Sequence, residues 1–160
     1  MSQQGMLLET TRFGSLQIDP ASIITFTQPI LGFQEFRRYV LLPGPSEHLT
    51  WLQSTDSGDL AFILIDPRVL VPDYRIEPRP PELAELAVNS ADELELYTLV
   101  VVPHDRTQVR TNLRAPILIN RKLRLGKQTI LDNTEYPIQF FLAKAREGRL
   151  QEKPHARSHS

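Results

Sequence analysis

Histidines and carboxylates are the side chains of this sequence that could carry acid–base chemistry. His48, His104, Asp66 and Asp132 lie in the body of the chain, and two of them within hydrogen-bond reach would suit a small hydrolase. His104 has an acidic neighbour in Asp105, but adjacent side chains on a proline-bounded turn point apart. No two histidines have the spacing of metal ligands on one element. The sequence therefore offers no catalytic or metal-binding constellation, and we expect no enzymatic activity and no cofactor.

A basic segment, RKLRLGK at 121–127, raises the alternative of direct RNA binding. Its four cations could neutralise a few phosphates: Arg121, Lys122, Arg124 and Lys127. The segment has no interleaved aromatic residues for base stacking, and Lys127 lacks the glycine-rich cradle of a phosphate loop. We expect a solvated hairpin loop and no direct contact with nucleic acid.

Composition and charge indicate one globular domain with a basic extension. The chain has 160 residues, 41% of them hydrophobic, and no cysteine, which excludes disulfides and thiolate sites and suits a reducing cytosol. The N-terminus has no signal sequence, and no apolar run is long enough to cross a membrane, so we expect a cytoplasmic protein with no membrane contact. The net charge of −1 divides into −4 over residues 1–142 and +3 over residues 143–160. We expect residues 1–142 to form the domain and the polar, basic tail to be disordered.

The hydrophobic pattern favours an all-β fold with one short helix. Short runs rich in β-branched and aromatic residues alternate with Pro, Gly, Asp and Ser, and many such strands must close or face each other to hide their edges. PPELAELAV predicts the helix, with proline and glutamate in its first turn. We predict a single antiparallel, barrel-like domain. The predicted strands are LLETTRFGSLQI (a hairpin), SIITF, RRYVLLP, TWLQST, LAFILID, DYRIEP, ELELYTLVVVP, QVRTNL, PILIN and QTILD.

Collinear short motifs carry a family resemblance. They run from Phe13-Gly14 through GF, WLQS, LAFILIDP and PDY to NLRAPILIN and GKQTILDNTEY, which ends at Tyr136. Each motif alone is common, but in this order and spacing they resemble the FliW family of flagellar assembly factors over roughly four-fifths of the chain. The resemblance implies a non-enzymatic, cytoplasmic β-barrel that acts through protein partners. FliW-like proteins bind flagellin and, once flagellin is exported, bind and antagonise the translational repressor CsrA, which relieves repression of the flagellin messenger.

For such a protein the sequence suggests two docking surfaces, neither involving a small-molecule substrate. In TNLRAPILIN the alternating apolar residues should face the core, and Pro116 should mark an edge, bend or bulge. The intervening polar residues should then face outward and contact a partner. Asp73 and Tyr74 form the second candidate surface, although Tyr74 also suits a core aromatic with a satisfied hydroxyl. The core-facing residues are Leu113, Ala115, Ile117 and Ile119; the partner-binding candidates are Asn112, Arg114, Asn120, Asp73 and Tyr74.

Overall fold

The computed structural model describes residues 5–132 and 135–143, and in these ranges β-strands dominate. Alternating apolar residues between turn-forming residues produce strands of two to seven residues. The strands are β1 (Met6–Thr10), β2 (Gly14–Ile18), β3 (Ile24–Gln28), β4 (Arg38–Pro43), β5 (Leu49–Ser54), β6 (Ala61–Ile65), β7 (Glu95–Val101), β8 (Arg110–Thr111), β9 (Ile117–Asn120), β10 (Leu125–Gln128) and β11 (Phe140–Phe141), with one α-helix, α1 (Pro80–Glu85).

Seven of the described strands close into a barrel. Hydrogen bonding runs from β7 through β6, β5, β4, β3 and β10 to β9, and β9 pairs again with β7. Closure leaves these strands no free edge, which is how a sheet of short strands avoids exposing backbone donors and acceptors. The barrel-like prediction is confirmed with one difference, because β3 and β10 run parallel while the other pairs are antiparallel.

The predicted N-terminal hairpin is confirmed, and it packs on the outside of the barrel. Gly14 has a φ of +68°, the left-handed conformation that glycine adopts without strain, and it reverses the chain between β1 and β2. Leu8 and Ile18 then pack against Val40 of β4. A backbone hydrogen bond of 3.0 Å from Thr11 to the Gly58 carbonyl also joins the hairpin to the turn after β5.

Strand β9 is buried on both faces because two hydrophobic clusters meet there. Ile117 and Ile119 point into the barrel, where they pack with a cluster that includes Phe26 and Tyr39. Leu118 points the other way, into a second cluster beneath α1. The predicted burial of Leu113, Ala115, Ile117 and Ile119 is confirmed. Pro116 lies just before β9, where its missing N–H interrupts no ladder, so β9 is not the edge strand that this proline suggested.

The helix prediction is confirmed over a shorter range, and the strand predicted just before the helix in the sequence is absent. Helix α1 has six residues, and Leu86 beyond its end is fully buried. DYRIEP was predicted as a strand, but residues 73–79 form none. The backbone of this segment has a different hydrogen-bond partner: the N–H of Arg75 donates to the Tyr136 hydroxyl at 3.1 Å instead of to a neighbouring strand.

The last barrel strand begins earlier than predicted. QTILD was expected to be the strand, but β10 occupies Leu125–Gln128 because Arg124, with a φ of +57°, completes a tight turn after β9. Gly32 has a φ of +89° and serves turn geometry. Gly126 does not: it lies within β10, where an added Cβ would come 2.9 Å from the Phe26 ring. Predicted strand QVRTNL is reduced to the two residues of β8.

Two further sequence predictions concern the C-terminal tail and the membrane. Most of the tail predicted to be disordered, residues 144–160, lies outside the described residues. No helix in the described ranges is long and apolar enough to span a bilayer.

Candidate partner-binding site

Two tyrosines from distant segments, Tyr74 and Tyr136, form the centre of the candidate site, and we call them the tyrosine pair. Their ring centroids lie 4.4 Å apart at 35°, and Tyr74 donates its hydroxyl hydrogen to the Leu113 carbonyl at 2.7 Å. Tyr74 is only 2% exposed, and burial raises the pKa of its hydroxyl far above neutral pH. The hydroxyl therefore remains a donor, and Tyr74 supports the surface from below, as the core interpretation anticipated.

Arg114 and Asn112 sit above this pair, in the loop that leads to β9. The Arg114 guanidinium donates through Nε to the Tyr136 carbonyl at 2.9 Å. The Arg114 backbone N–H donates to the Asn112 side-chain oxygen, also at 2.9 Å, which forms a local turn typical of asparagine. Both residues are half-buried. Each therefore stabilises the loop, and whether either residue contacts a partner stays a prediction.

Asn120 does not belong to this surface. It is 5% exposed, so its predicted outward orientation is wrong. Its side-chain amide donates to the Leu86 carbonyl at 2.8 Å, and its oxygen accepts from the Leu123 N–H at 3.2 Å. The reason is local, because β9 is buried on both faces and an asparagine at its end can satisfy the backbone groups of the helix end and of the next turn.

Asp73 lies on the rim of a groove next to the tyrosine pair. The groove has a volume of about 600 Å³ and separates residues 73–79 and the start of α1 from residues 129–132, 135 and 136. Ile76, Leu131 and Tyr136 line it together with Ile130, whose side chain is 56% exposed. One exposed aliphatic side chain, two half-buried ones and a charged lining suit an extended or amphipathic segment of a protein. We call it the 73–136 groove.

Lys127 is buried, whereas the sequence placed it in a solvated basic loop. Its ammonium lies 3.0 Å from a Glu85 carboxylate oxygen and 3.4 Å from one of Glu82. The Thr129 hydroxyl donates to Glu82, and Gln28 donates to Glu85 at 3.1 Å. Lys127 itself is 8% exposed. This network fastens α1 to β10, and so sets one wall of the 73–136 groove.

The network also shifts the acidity of both glutamates. Burial acts to raise the pKa of Glu82, but hydrogen bonds from Thr129 and the Arg79 N–H and the charge of Lys127 outweigh it, so the pKa is lowered. At Glu85 burial is likewise outweighed by hydrogen bonds, first from Lys127, and the pKa is lowered. Both carboxylates are therefore ionised in the folded protein at neutral pH. Sequence periodicity could not reveal this network, because Glu85 and Lys127 are 42 positions apart in the sequence.

The basic turn is partly neutralised and forms no phosphate track. Arg121 makes a two-point pair with Glu95, at 2.6 and 2.9 Å, which lowers the pKa of that carboxyl. Lys127 is also paired, so two of the four cations have carboxylate partners, while Arg121, Lys122 and Arg124 are exposed. Residues 121–127 contain no aromatic side chain that could serve as a stacking platform for a base.

Two of the acidic residues considered for acid–base chemistry cap short turns. Asp66 accepts from the Arg68 N–H at 3.0 Å, and Asp105 accepts from the Thr107 N–H at 3.0 Å, so each caps a short 3-10 turn. Asp132 lines the 73–136 groove, and His48 lines a different depression. Over the described ranges, no three metal-ligating side chains group together.

The sequence and the fold both match known proteins. The model of the FliW protein family matches residues 7–142. The chain belongs to the FliW family.

Individual relatives agree with this assignment. The chain is similar to the flagellar assembly factor FliW of Thermoanaerobacter pseudethanolicus, with 37% identity over 84% of this chain and 91% of that protein. The corresponding factor of Caldanaerobacter subterraneus subsp. tengcongensis is 38% identical, with the same shares covered. A crystal structure of the flagellar assembly factor FliW superposes with a TM-score of 0.78 at 34% identity, covering 86% of this chain and 96% of that one. The resemblance inferred from the motifs is confirmed.

Proposed function

We propose that this FliW protein is a cytoplasmic flagellar assembly factor that acts by binding proteins and not by catalysis. In this proposal it binds flagellin and, when flagellin is scarce, binds CsrA and so relieves repression of flagellin translation. The observation that carries the proposal is the family match over residues 7–142, together with relatives named as flagellar assembly factors. No cofactor, nucleic acid or membrane takes part in it.

The binding surface in this proposal is the 73–136 groove and the residues that border it. Asp73 lines the groove, Arg114 donates to the Tyr136 carbonyl, Asn112 accepts from the Arg114 N–H, and Ile130 offers exposed apolar area. The loops that carry these groups are tied to each other by hydrogen bonds from Arg114 to the Tyr136 carbonyl and from the Arg75 N–H to the Tyr136 hydroxyl, which lowers the conformational entropy that docking would cost. Asn120 is removed from the set of contact residues because it is buried.

Charge supports the CsrA half of the proposal. Residues 1–142 carry a net charge of −4, and a protein that binds RNA must present positive charge. An acidic partner is steered toward such a surface and repels phosphate nearby. Because the Debye length falls from about 30 Å at 0.01 M salt to about 8 Å at 0.15 M, the association rate with CsrA should fall as salt rises.

Pairwise titration tests this proposal. The full chain is titrated by calorimetry with CsrA and, separately, with unassembled flagellin. The Asp73→Asn variant should weaken at least one of the two complexes several-fold. The matched control, Glu35→Gln, removes an exposed carboxylate that is not part of the groove lining and should change neither. Absence of binding to both partners contradicts the proposed function, and equal effects of the two variants contradict the proposed surface.

A further inference from the structure

We propose that an apolar patch formed by Leu31 and Ile130 receives the apolar face of an amphipathic helix of a protein partner. The inference rests on the proposed function and extends its binding surface, since Ile130 lines the 73–136 groove and Leu31 does not. Both side chains are more than half exposed, at 57% and 56%. An isolated exposed leucine is ordinary on a protein surface, but two aliphatic side chains held side by side form a contact patch.

A tight turn directs Leu31 into solvent. The Phe33 N–H donates to the Ile30 carbonyl at 2.8 Å, and Gly32 has the positive φ that the third residue of a type II turn requires. Leu31 occupies the second position of this turn. Ile30 is buried in the barrel core and Phe33 packs against it, so both flanks are anchored and Leu31 is held outward.

Gln128 brings Ile130 to the same place. Its side-chain oxygen accepts from the Leu31 N–H at 2.9 Å, and its amide donates to the Ala115 carbonyl at 3.1 Å. The chain after Gln128 stays extended, because the N–H groups on either side of Ile130 donate to carbonyls of the loop before β9. Side chains two positions apart in an extended segment leave the backbone on the same side, so Ile130 lies next to the Leu31 turn.

The two segments that build the patch contain no charged residue. They are QPILGFQ at 28–34 and QTIL at 128–131. The two carboxylates that they contact, Glu82 and Glu85, are both paired with Lys127. The centre of a protein–protein interface is depleted in charged residues in the same way, so the composition of the patch suits a partner's apolar face.

Backbone hydrogen bonds around the patch favour a helix over a strand as the occupant. The N–H groups of Leu31, Phe33, Thr129 and Leu131 all have acceptors within the chain. The two segments therefore offer no continuous sheet edge to which an extended peptide could add. Side chains must make the contact instead, and an amphipathic helix presents a compact set of apolar side chains from positions i, i+3, i+4 and i+7.

Affinity measurements on the whole chain test the proposal, with CsrA and flagellin as the probes. The patch variant, Leu31→Ser combined with Ile130→Ser, should weaken at least one complex about tenfold or more, because burial of one leucine is worth about a factor of ten. This ratio should be nearly the same at about 0.05 M and 0.5 M salt, since apolar contacts are not screened. The control variant, Leu7→Ser combined with Leu123→Ser, exchanges two equally exposed side chains outside the patch and should change neither affinity. The two variants should have the same urea midpoint.

Hydrogen exchange in the complex identifies the occupant. The partner segment that the parent chain protects and the patch variant does not should be an amphipathic helix. Failure of the parent chain to bind either probe removes the proposed function and this inference together, whereas equal binding by the parent chain and the patch variant overturns this inference alone. Protection of a strand or an irregular loop also overturns it. So does a change of oligomeric state in the patch variant without a partner, because a second copy would then occupy the patch.

Discussion

Replacement of Lys127 by methionine tests the idea that a buried charge network holds α1 on the barrel. Methionine has nearly the same length and is apolar, so the substitution removes the charge while it keeps most of the packing. It leaves Glu82 and Glu85 close together without their shared cation, at side-chain exposures of 15% and 27%. The folded state must then hold two partly buried carboxylates, which the unfolded chain hydrates fully.

The separations of the charges set the size of the effect. At 3.0 and 3.4 Å, with an effective dielectric constant of about 20, each attraction is worth about 5 kcal/mol before desolvation. Desolvation of the ions cancels several kcal/mol of that gain, and loss of one partner from a buried pair typically costs 3–5 kcal/mol. Because water reaches Glu85, we take the lower end, and expect Lys127→Met to lower the free energy of unfolding by about 3 kcal/mol.

Urea unfolding at neutral pH measures this change. The control Lys122→Met removes an exposed lysine from the adjoining turn and should change the free energy of unfolding by less than about 0.5 kcal/mol. Adding Glu82→Gln to Lys127→Met should restore at least about 1 kcal/mol, because one of the unpaired carboxylates is then neutral. Equal stability of the two lysine variants, or further loss on adding Glu82→Gln, refutes the charge-network reasoning.

Three further predictions concern acidity and packing. The pKa values of Glu82 and Glu85 are lowered in the folded protein, so below about pH 4.5 the unfolded chain binds more protons than the folded one. The free energy of unfolding should therefore fall as the pH falls through the folded-state pKa values. Lys127→Met should flatten this fall in acid unfolding curves. Gly126→Ala places a methyl group against the Phe26 ring and should lower the urea midpoint by the equivalent of about 1–3 kcal/mol. Tyr74→Phe leaves the Leu113 carbonyl without its donor, and thermal unfolding should show a loss of about 1–2 kcal/mol.

Each of these has a contrary outcome. Parallel acid unfolding curves for Lys127→Met and the parent chain would remove the linkage between the network and the pH dependence. A neutral Gly126→Ala would mean that the Phe26 ring can move aside, and that close packing does not require glycine there. An unchanged stability of Tyr74→Phe would show that the hydroxyl is not needed to satisfy the Leu113 carbonyl.

Local sequence signals predicted the architecture well because they report burial directly. In TNLRAPILIN the apolar positions Leu113, Ala115, Ile117 and Ile119 are all buried as predicted, although burial alternates only as far as Ala115 and is continuous from there to Asn120. The same logic failed at Asn120, because the strand is covered on both faces and its polar end meets backbone groups of α1.

Long-range contacts explain the remaining differences. Lys127 reads as part of a basic loop until α1 is placed beside β10, since its acidic partners are about forty positions earlier. The parallel pairing of β3 with β10 likewise joins segments about a hundred positions apart, and neither strand carries a local signal of strand direction. Of the five candidate contact residues, the four that gather near the tyrosine pair are Asp73, Tyr74, Asn112 and Arg114.

The exchange of partners is the central claim, and one titration tests it most directly. CsrA is bound to a labelled RNA carrying the flagellin leader, this 160-residue chain is added until the RNA is released, and flagellin is then titrated in. The proposal predicts that flagellin drives CsrA back onto the RNA, because the two complexes of a shared protein must exclude or oppose each other. If the RNA stays free at saturating flagellin, or if FliW never releases it, partner exchange is contradicted.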